Sequence, residues 1–279
     1  MRSANAVSVV IPNHNRGDLL GSAIASALAQ RGVELEVLVC DDGSTDGSAG
    51  VVEAFDDPRV RWLPGAASGG PAAPRNRGIA AAAGEWVAFL DSDDTWREGK
   101  LEAQLRLLES TSASACTTNA YRCLSGSAGQ AGLMHDRLPA SITLSQQLSL
   151  NWVITSSMTV RTAELHRVGG FPEAAGRTIF EDYALWLRLA QRSPIAVLDA
   201  PLVDYRDDVS SSLRGLMAPE LRCTINSFRD FGQWRRTQRP MLRTTPAEAL
   251  VMARHLSRLV AVRDILRRGL APAPGSGAR

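Results

Sequence analysis

Short apolar runs that stop abruptly at acidic clusters constrain this chain most. The stretch GEWVAFLDSDDTW (residues 84–96) leads a buried-type strand into Asp91, Asp93 and Asp94. Carboxylates crowded in this way repel one another, and something cationic must relieve them. Similar apolar runs recur at AVSVVIP (6–12), LEVLVC (35–40), RVRWL (59–63) and EWVAFL (85–90). Helical patterns separate them: Leu19, Leu20, Ala23, Ile24, Ala27 and Leu28 before Gly32, a short helix around 47–55, and RNRGIAAAAG. Strands alternating with helices predict βαβ units and a mostly parallel sheet, with strands buried on both faces.

In such sheets ligands bind at the carboxyl ends of the strands. The polar clusters fall there: Asn13 to Asn15 after the first strand, Asp41 and Asp42 after the second, Asp91 to Asp94 after the fourth. Asp93, Asp94 or Thr95 could cap the helix that starts near Arg97, but a cap needs one such residue and not three. Hard oxygen donors at a strand end suit Mg²⁺ or Mn²⁺, bound through one or two carboxylates plus substrate phosphates. In VCDDGSTDG the acids are ordinary turn residues, or carboxylates able to accept from a ribose hydroxyl or a base N–H. The connection IPNHNRGD lacks G-x-G-x-x-G, which argues against a dinucleotide dehydrogenase, and G-x-x-x-x-G-K-[ST], so this is not a P-loop protein. Glu181 and Asp182 open a predicted helix, EDYALWLRLAQR. They either complement its dipole or place a general base at the crevice, one acid held by structural hydrogen bonds while the other faces substrate.

Further along, Leu101, Leu105 and Leu108 stripe a helix, and 120–140 reads as an exposed Gly/Ser-rich loop. SSMTVR (156–161) and IAVLD (195–199) read as strands. Residues 219–268 read as helical, with Met252, Leu256 and Leu259 opposite Arg254 and Arg258, and APAPGSGAR as a disordered tail. The net charge of +2 gives no reason to expect nucleic acid. The four scattered cysteines form no C-x-x-C pair and suit a reducing cytoplasm. No window reaches ~18 consecutive apolar residues, and the N-terminus lacks a secretory core. Membrane contact is expected to be peripheral, with the Arg254/Arg258 face or a homodimer through the C-terminal helices as uses for that region.

VSVVIPNHNR, VLVCDDGSTD, PRNRGIAAAAGEWVAFLDSDD, VGGF and EDYALWLRL, in that order, resemble the family-two inverting nucleotide-sugar glycosyltransferases. The resemblance implies a GT-A fold, Rossmann-like and mixed but mostly parallel, flanked by helices and followed by a helical extension. It divides the chain into a transferase domain at 1–215 (a nucleotide half about 1–115, an acceptor half about 116–215), an extension at 216–270 and a tail at 271–279. It implies that Pro12, Asn13 and Asn15 line the nucleotide pocket, with His14 departing from the usual aromatic. Asp41 and Asp42 would hold the uracil and ribose, Arg75 the base or diphosphate. Asp91, Ser92 and Asp93 match the DXD motif, and Asp93 or Asp94 would ligate the divalent cation. Asp182, beside Glu181, matches the catalytic base, and Arg206 would help close the site. The donor implied is a UDP-sugar, the acceptor a carbohydrate, lipid-linked or small-molecule hydroxyl. Two other functions compete. A sugar-phosphate nucleotidyltransferase would release pyrophosphate, and its Gly-rich phosphate loop fits PNHNRGD poorly. A silent nucleotide-sugar-binding protein would bind UDP without transfer.

Overall fold

Burial on both faces decides the central strands. The structure, a computed structural model, describes residues 6–124, 130–173, 179–207, 220–238 and 245–269. The expected tail at 271–279 lies outside them. In chain order the first half runs β1 (Val7–Asn13), α1 (Gly17–Leu28), β2 (Leu35–Asp41), α2 (Ser48–Glu53), β3 (Val60–Leu63), α3 (Ala72–Ala81), β4 (Trp86–Phe89), β5 (Thr95–Trp96) and α4 (Lys100–Thr111). The second half runs β6 (Ala115–Cys123), β7 (Gln130–Leu133), β8 (Ser141–Ile142), α5 (Leu144–Ser149), a 3-10 turn (Thr155–Ser157), β9 (Thr159–Arg161), α6 (Thr162–Val168), α7 (Glu181–Arg192), β10 (Ile195–Arg206), α8 (Glu220–Gln238) and α9 (Pro246–Gly269).

The strands form one mixed sheet, ordered β3-β2-β1-β4-β9-β6-β10-β5, with β7 on β6 and β8 on β10. The pairings β3-β2-β1-β4 and β6-β10 are parallel, while β9 enters antiparallel between β4 and β6. Successive side chains of one strand face opposite sides. Val7, Val9 and Ile11 therefore join the core under α1 and α4, with Val37, Val39, Ala88 and Leu90. Val10, Leu38, Val87 and Phe89 join the other core, with Tyr183, Leu185 and Trp186 of α7. Two-sided burial explains why these strands read as unbroken apolar runs.

The sequence reading needs three changes. The segment 120–140 is no simple loop: β6 runs to Cys123 with Ala120 buried, and β7 pairs back on it. SSMTVR begins as a 3-10 turn, and only Thr159–Arg161 is strand. The strand seen at 195–199 continues to Arg206, with register shifts at Leu198/Pro201 and Pro201/Asp204 that absorb its irregular middle. Helix α8 contributes Phe228, Phe231 and Trp234 to the α7-side core, and Met252 and Leu256 of α9 pack against it. Helix α3 lies directly on the sheet. A Cβ at Gly78 would sit 2.5 Å from a Val10 methyl and 2.8 Å from Cys40 Sγ, so only glycine allows this approach. One turn earlier on the same helix, Arg75 is carried to the strand tips.

Candidate active site

Because β1 lies between β2 and β4, the ends of these strands are neighbours. Two interstrand steps, about 10 Å, separate the β2 tip from the β4 tip. At the β2 tip, Asp41 shapes the turn. Its Oδ2 accepts from the backbone N–H groups of Gly43 (3.1 Å) and Ser44 (2.9 Å), and its Oδ1 from the Ser44 hydroxyl and from Asn13 Nδ2 (3.3 Å). Gly43 has φ +76°, which suits glycine. Asp42 faces the next loop: its Oδ1 accepts from Ser68 N–H (2.9 Å) and Ser68 Oγ (2.7 Å). Pro12 and Asn13 are buried in β1. Exposed Asn15 has φ +51° and accepts from Thr45 N–H at 2.8 Å. His14 Nδ1 donates to the Asp42 carbonyl at 2.9 Å, so the residue that departs from the family's aromatic fastens β1 to the β2 loop.

At the β4 tip the three acids have different neighbours. Asp91 Oδ1 accepts from Arg75 at 2.6 Å. Asp94 is almost fully buried, with Oδ2 accepting from Ser156 Oγ (2.5 Å) and Oδ1 from the Arg206 backbone N–H (2.8 Å). Ser92 is buried between them. The Asp93 carboxylate has no side-chain hydrogen-bond partner among the described residues; it accepts from its own backbone N–H and lies within the electrostatic reach of Arg16 and Arg206.

Arg75 joins this loop to α7. It is 4% exposed, and its second guanidinium nitrogen donates to Glu181 at 2.9 Å. One planar fork thus holds Asp91 and Glu181 together. Next along the helix, Asp182 accepts from Thr155 Oγ1 at 3.1 Å and from the Tyr183 N–H at 2.6 Å. The 3-10 turn therefore fixes two acids with adjacent hydroxyls, Thr155 on Asp182 and Ser156 on Asp94. Ser156 also accepts from the Asp91 N–H at 3.0 Å. Below the turn, Gln104 donates to the Ser157 carbonyl (2.8 Å) and accepts from Lys100 Nζ (2.8 Å). Sequence reasoning did not reach Thr155, Ser156 or Ser68, since isolated hydroxyl residues carry no pattern before the chain is folded.

The electrostatics follow from that enclosure. Burial raises the Asp93 and Asp94 carboxyls, and repulsion among Asp91, Asp93 and Asp94 raises them further. Burial and then Asp182 push Glu181 up to about 7, against the pull of Arg75. Burial also raises Asp182, while Arg75 and the Tyr183 N–H hold it down. Burial opposes the Arg75 charge, but Asp91 and Glu181 more than offset it. Among the described residues no group of three or more His, Cys, Asp or Glu side chains is arranged to hold a metal ion. Mg²⁺ and Mn²⁺ need fewer, because substrate phosphates complete the shell. Hard oxygens and an Asp93 carboxylate without a side-chain partner fit such an ion.

The sequence matches the Glycosyl transferase family 2 profile over residues 8–165. The chain belongs to glycosyl transferase family 2. This glycosyltransferase is 30% identical over 207 residues to the Escherichia coli UDP-Glc:alpha-D-GlcNAc-diphosphoundecaprenol beta-1,3-glucosyltransferase WfgD, covering 74% of this chain and 78% of that protein. It is 42% identical over 113 residues to the succinoglycan biosynthesis protein ExoO of Rhizobium meliloti (strain 1021), 40% of this chain but only 32% of that relative's length. Among solved structures, S. aureus TarS 1–349 in complex with UDP-GlcNAc superposes with a TM-score of 0.69 at 22% identity, covering 98% of this chain and 76% of that one. The fold is that of the GT-A glycosyltransferases, and the likeness extends through the C-terminal helices. Among the described residues no helix is long and apolar enough to cross a membrane.

Proposed function

We propose that this glycosyltransferase moves a sugar from a UDP-sugar to an acceptor hydroxyl with inversion, using Asp182 as general base. The observation that carries the reading is the double tie between the acid loop and α7: Arg75 between Asp91 and Glu181, and the Thr155–Ser156 turn between Asp182 and Asp94. A diphosphate held at the β4 tip would then present its sugar to Asp182.

The nucleotide would lie along the β1 and β2 tips, over Pro12, Asn13 and Asn15. Asp41 is occupied with its own turn, so Asp42 is the acid offered to the base, with ribose contacts from the same loop. Asp93 would hold the divalent cation, Mn²⁺ or Mg²⁺, while Asp94 anchors the loop to β10 and the turn. When bound, the cation stabilises charge on the departing diphosphate. Arg16 and Arg206 would flank that charge, and Arg206, at the end of β10, would help close the site.

In the chemical step the acceptor oxygen bonds to the anomeric carbon, the bond from that carbon to the diphosphate oxygen breaks, and the hydroxyl proton passes to Asp182. A single displacement of this kind inverts the anomeric centre. Burial suits Asp182 to the role by raising its basicity, and such assistance is worth ~10²–10⁴ in rate. Glu181, locked by Arg75, positions the helix start and keeps the local field negative. Residues 1–115 would serve the nucleotide, 116–215 the acceptor, and 216–270 would brace that half. A lipid-linked acceptor, as in the WfgD name, would place the enzyme at a membrane surface as a peripheral protein.

The test is to incubate the protein with a panel of UDP-sugars, a lipid-linked sugar acceptor and Mn²⁺. Release of UDP with transferred sugar of inverted anomeric configuration supports the proposal. New nucleotide sugar with pyrophosphate would point to the nucleotidyltransferase, and UDP binding without transfer to a silent binder.

A further inference from the structure

We propose that the groove between α5 and α9 is a phosphate-binding site, separate from the nucleotide crevice. The groove is a cavity of about 200 Å³ lined by Ser145, Gln146, Ser149, Val251, Arg254, His255 and Arg258. No carboxylate lines it. Arg254 and Arg258 stand one turn apart on α9 and are exposed. Like charges at this spacing repel unless an anion lies between them. Guanidinium groups match phosphate oxygens with paired N–H donors.

The third polar group is built in. His255 is 8% exposed, and its ring packs against Tyr183 and Phe228. Its Nδ1 donates to the Ser149 carbonyl at 2.7 Å. That bond fixes the ring where His255 lines the groove. Two guanidinium groups and the Ser145 hydroxyl, beside a wall fixed by His255, make a set of donors of the kind that recognises a phosphate monoester or diester.

The phosphate could come from a lipid headgroup or from a soluble phosphoester. The headgroup is favoured, because Leu150 and Leu250, next in sequence to the lining residues Ser149 and Val251, are 43% and 52% exposed and offer apolar surface to a bilayer. The site does not depend on the transferase reading of Asp182, and its test needs no activity.

The test titrates the full chain with inorganic phosphate by calorimetry, and separately with phosphatidylglycerol vesicles and phosphatidylcholine vesicles by co-sedimentation. The variant is Arg254→Gln/Arg258→Gln. Its control is Arg31→Gln/Arg106→Gln, which removes equal charge from side chains that are 87% and 76% exposed elsewhere. Saturable binding that the groove variant weakens about tenfold or more, and the control leaves alone, supports the site. Phosphatidylglycerol binding tighter than that of inorganic phosphate assigns the headgroup, and equal or weaker binding assigns the soluble source. No binding of either probe overturns the proposal. So does equal weakening by the control, which would be bulk charge, or full binding by the groove variant.

Discussion

Replacing Arg75 by methionine should destabilise the fold in a pH-dependent way. The change removes the guanidinium shared by Asp91 and Glu181 and leaves two enclosed carboxylates without their cation. Stripping one partner from a buried ion pair costs ~3–5 kcal/mol. The Asp91 side chain keeps 27% of its surface exposed, so the lower end applies, about 3 kcal/mol. For a domain of this size each kcal/mol lowers Tm by ~2–4 °C, so the expected loss is about 6–12 °C at pH 8. The sign with pH follows from linkage. Glu181 already stands at about 7 against an ordinary 4.5, and without Arg75 it rises further. A carboxyl raised in the fold contributes stability below its unfolded pKa and loses it as pH climbs toward the folded value. The deficit should therefore be smaller at pH 5 than at pH 8. The double variant Arg75→Met/Glu181→Gln should recover about half of it, since one of the two stranded charges is gone. Thermal melts of the parent, both single variants and the double variant between pH 5 and 8 give the cycle. A loss under about 1 kcal/mol that does not change with pH would refute the reasoning.

Other outcomes follow from the same geometry. Asp182→Asn should lower kcat by ~10²–10⁴ while UDP affinity, read by calorimetry, stays within a factor of about two. The kcat/KM profile should fall on its acid side as Asp182, raised above the ordinary carboxylate range by burial, takes up a proton. Thr155→Val should lower kcat more than it raises KM, because the hydroxyl on Asp182 orients the base rather than the substrate. Burial lowers Lys100 to about 7 against its ordinary 10.5. The unfolded chain therefore binds the extra proton between those values, and stability should rise as pH climbs from 7 to 9, by at most ~2.7 kcal/mol. Lys100→Met should lose that rise in chemical denaturation, and an unchanged slope would show that Lys100 is not the source.

Much of the sheet was legible because its strands are buried on both faces, so runs such as VSVVIP and LEVLVC carry their own signal. The strand-tip acids were legible because an apolar strand ending in DSDD has few other uses. Three details were not. Asp41 and Asp42 read alike in sequence, yet one closes its own turn and the other faces Ser68. Asp93 and Asp94 differ only through partners brought from 62 and 112 residues away, Ser156 and the Arg206 N–H. The fork of Arg75 is engaged by Asp91 and Glu181, and the pairing with Glu181 spans 106 residues, which no local pattern encodes. The β6–β7 hairpin was hidden because its Gly/Ser composition imitates a loop, while the buried pairing that makes it a strand is tertiary.

The most direct test of the central claim is the position of the cation. Anomalous diffraction at the manganese edge from crystals grown with UDP and Mn²⁺ should place the ion on the Asp93 carboxylate, with the diphosphate between that loop and Asp182. An ion bound away from the Asp91–Asp94 loop, or a diphosphate lying outside the crevice between that loop and α7, would contradict it.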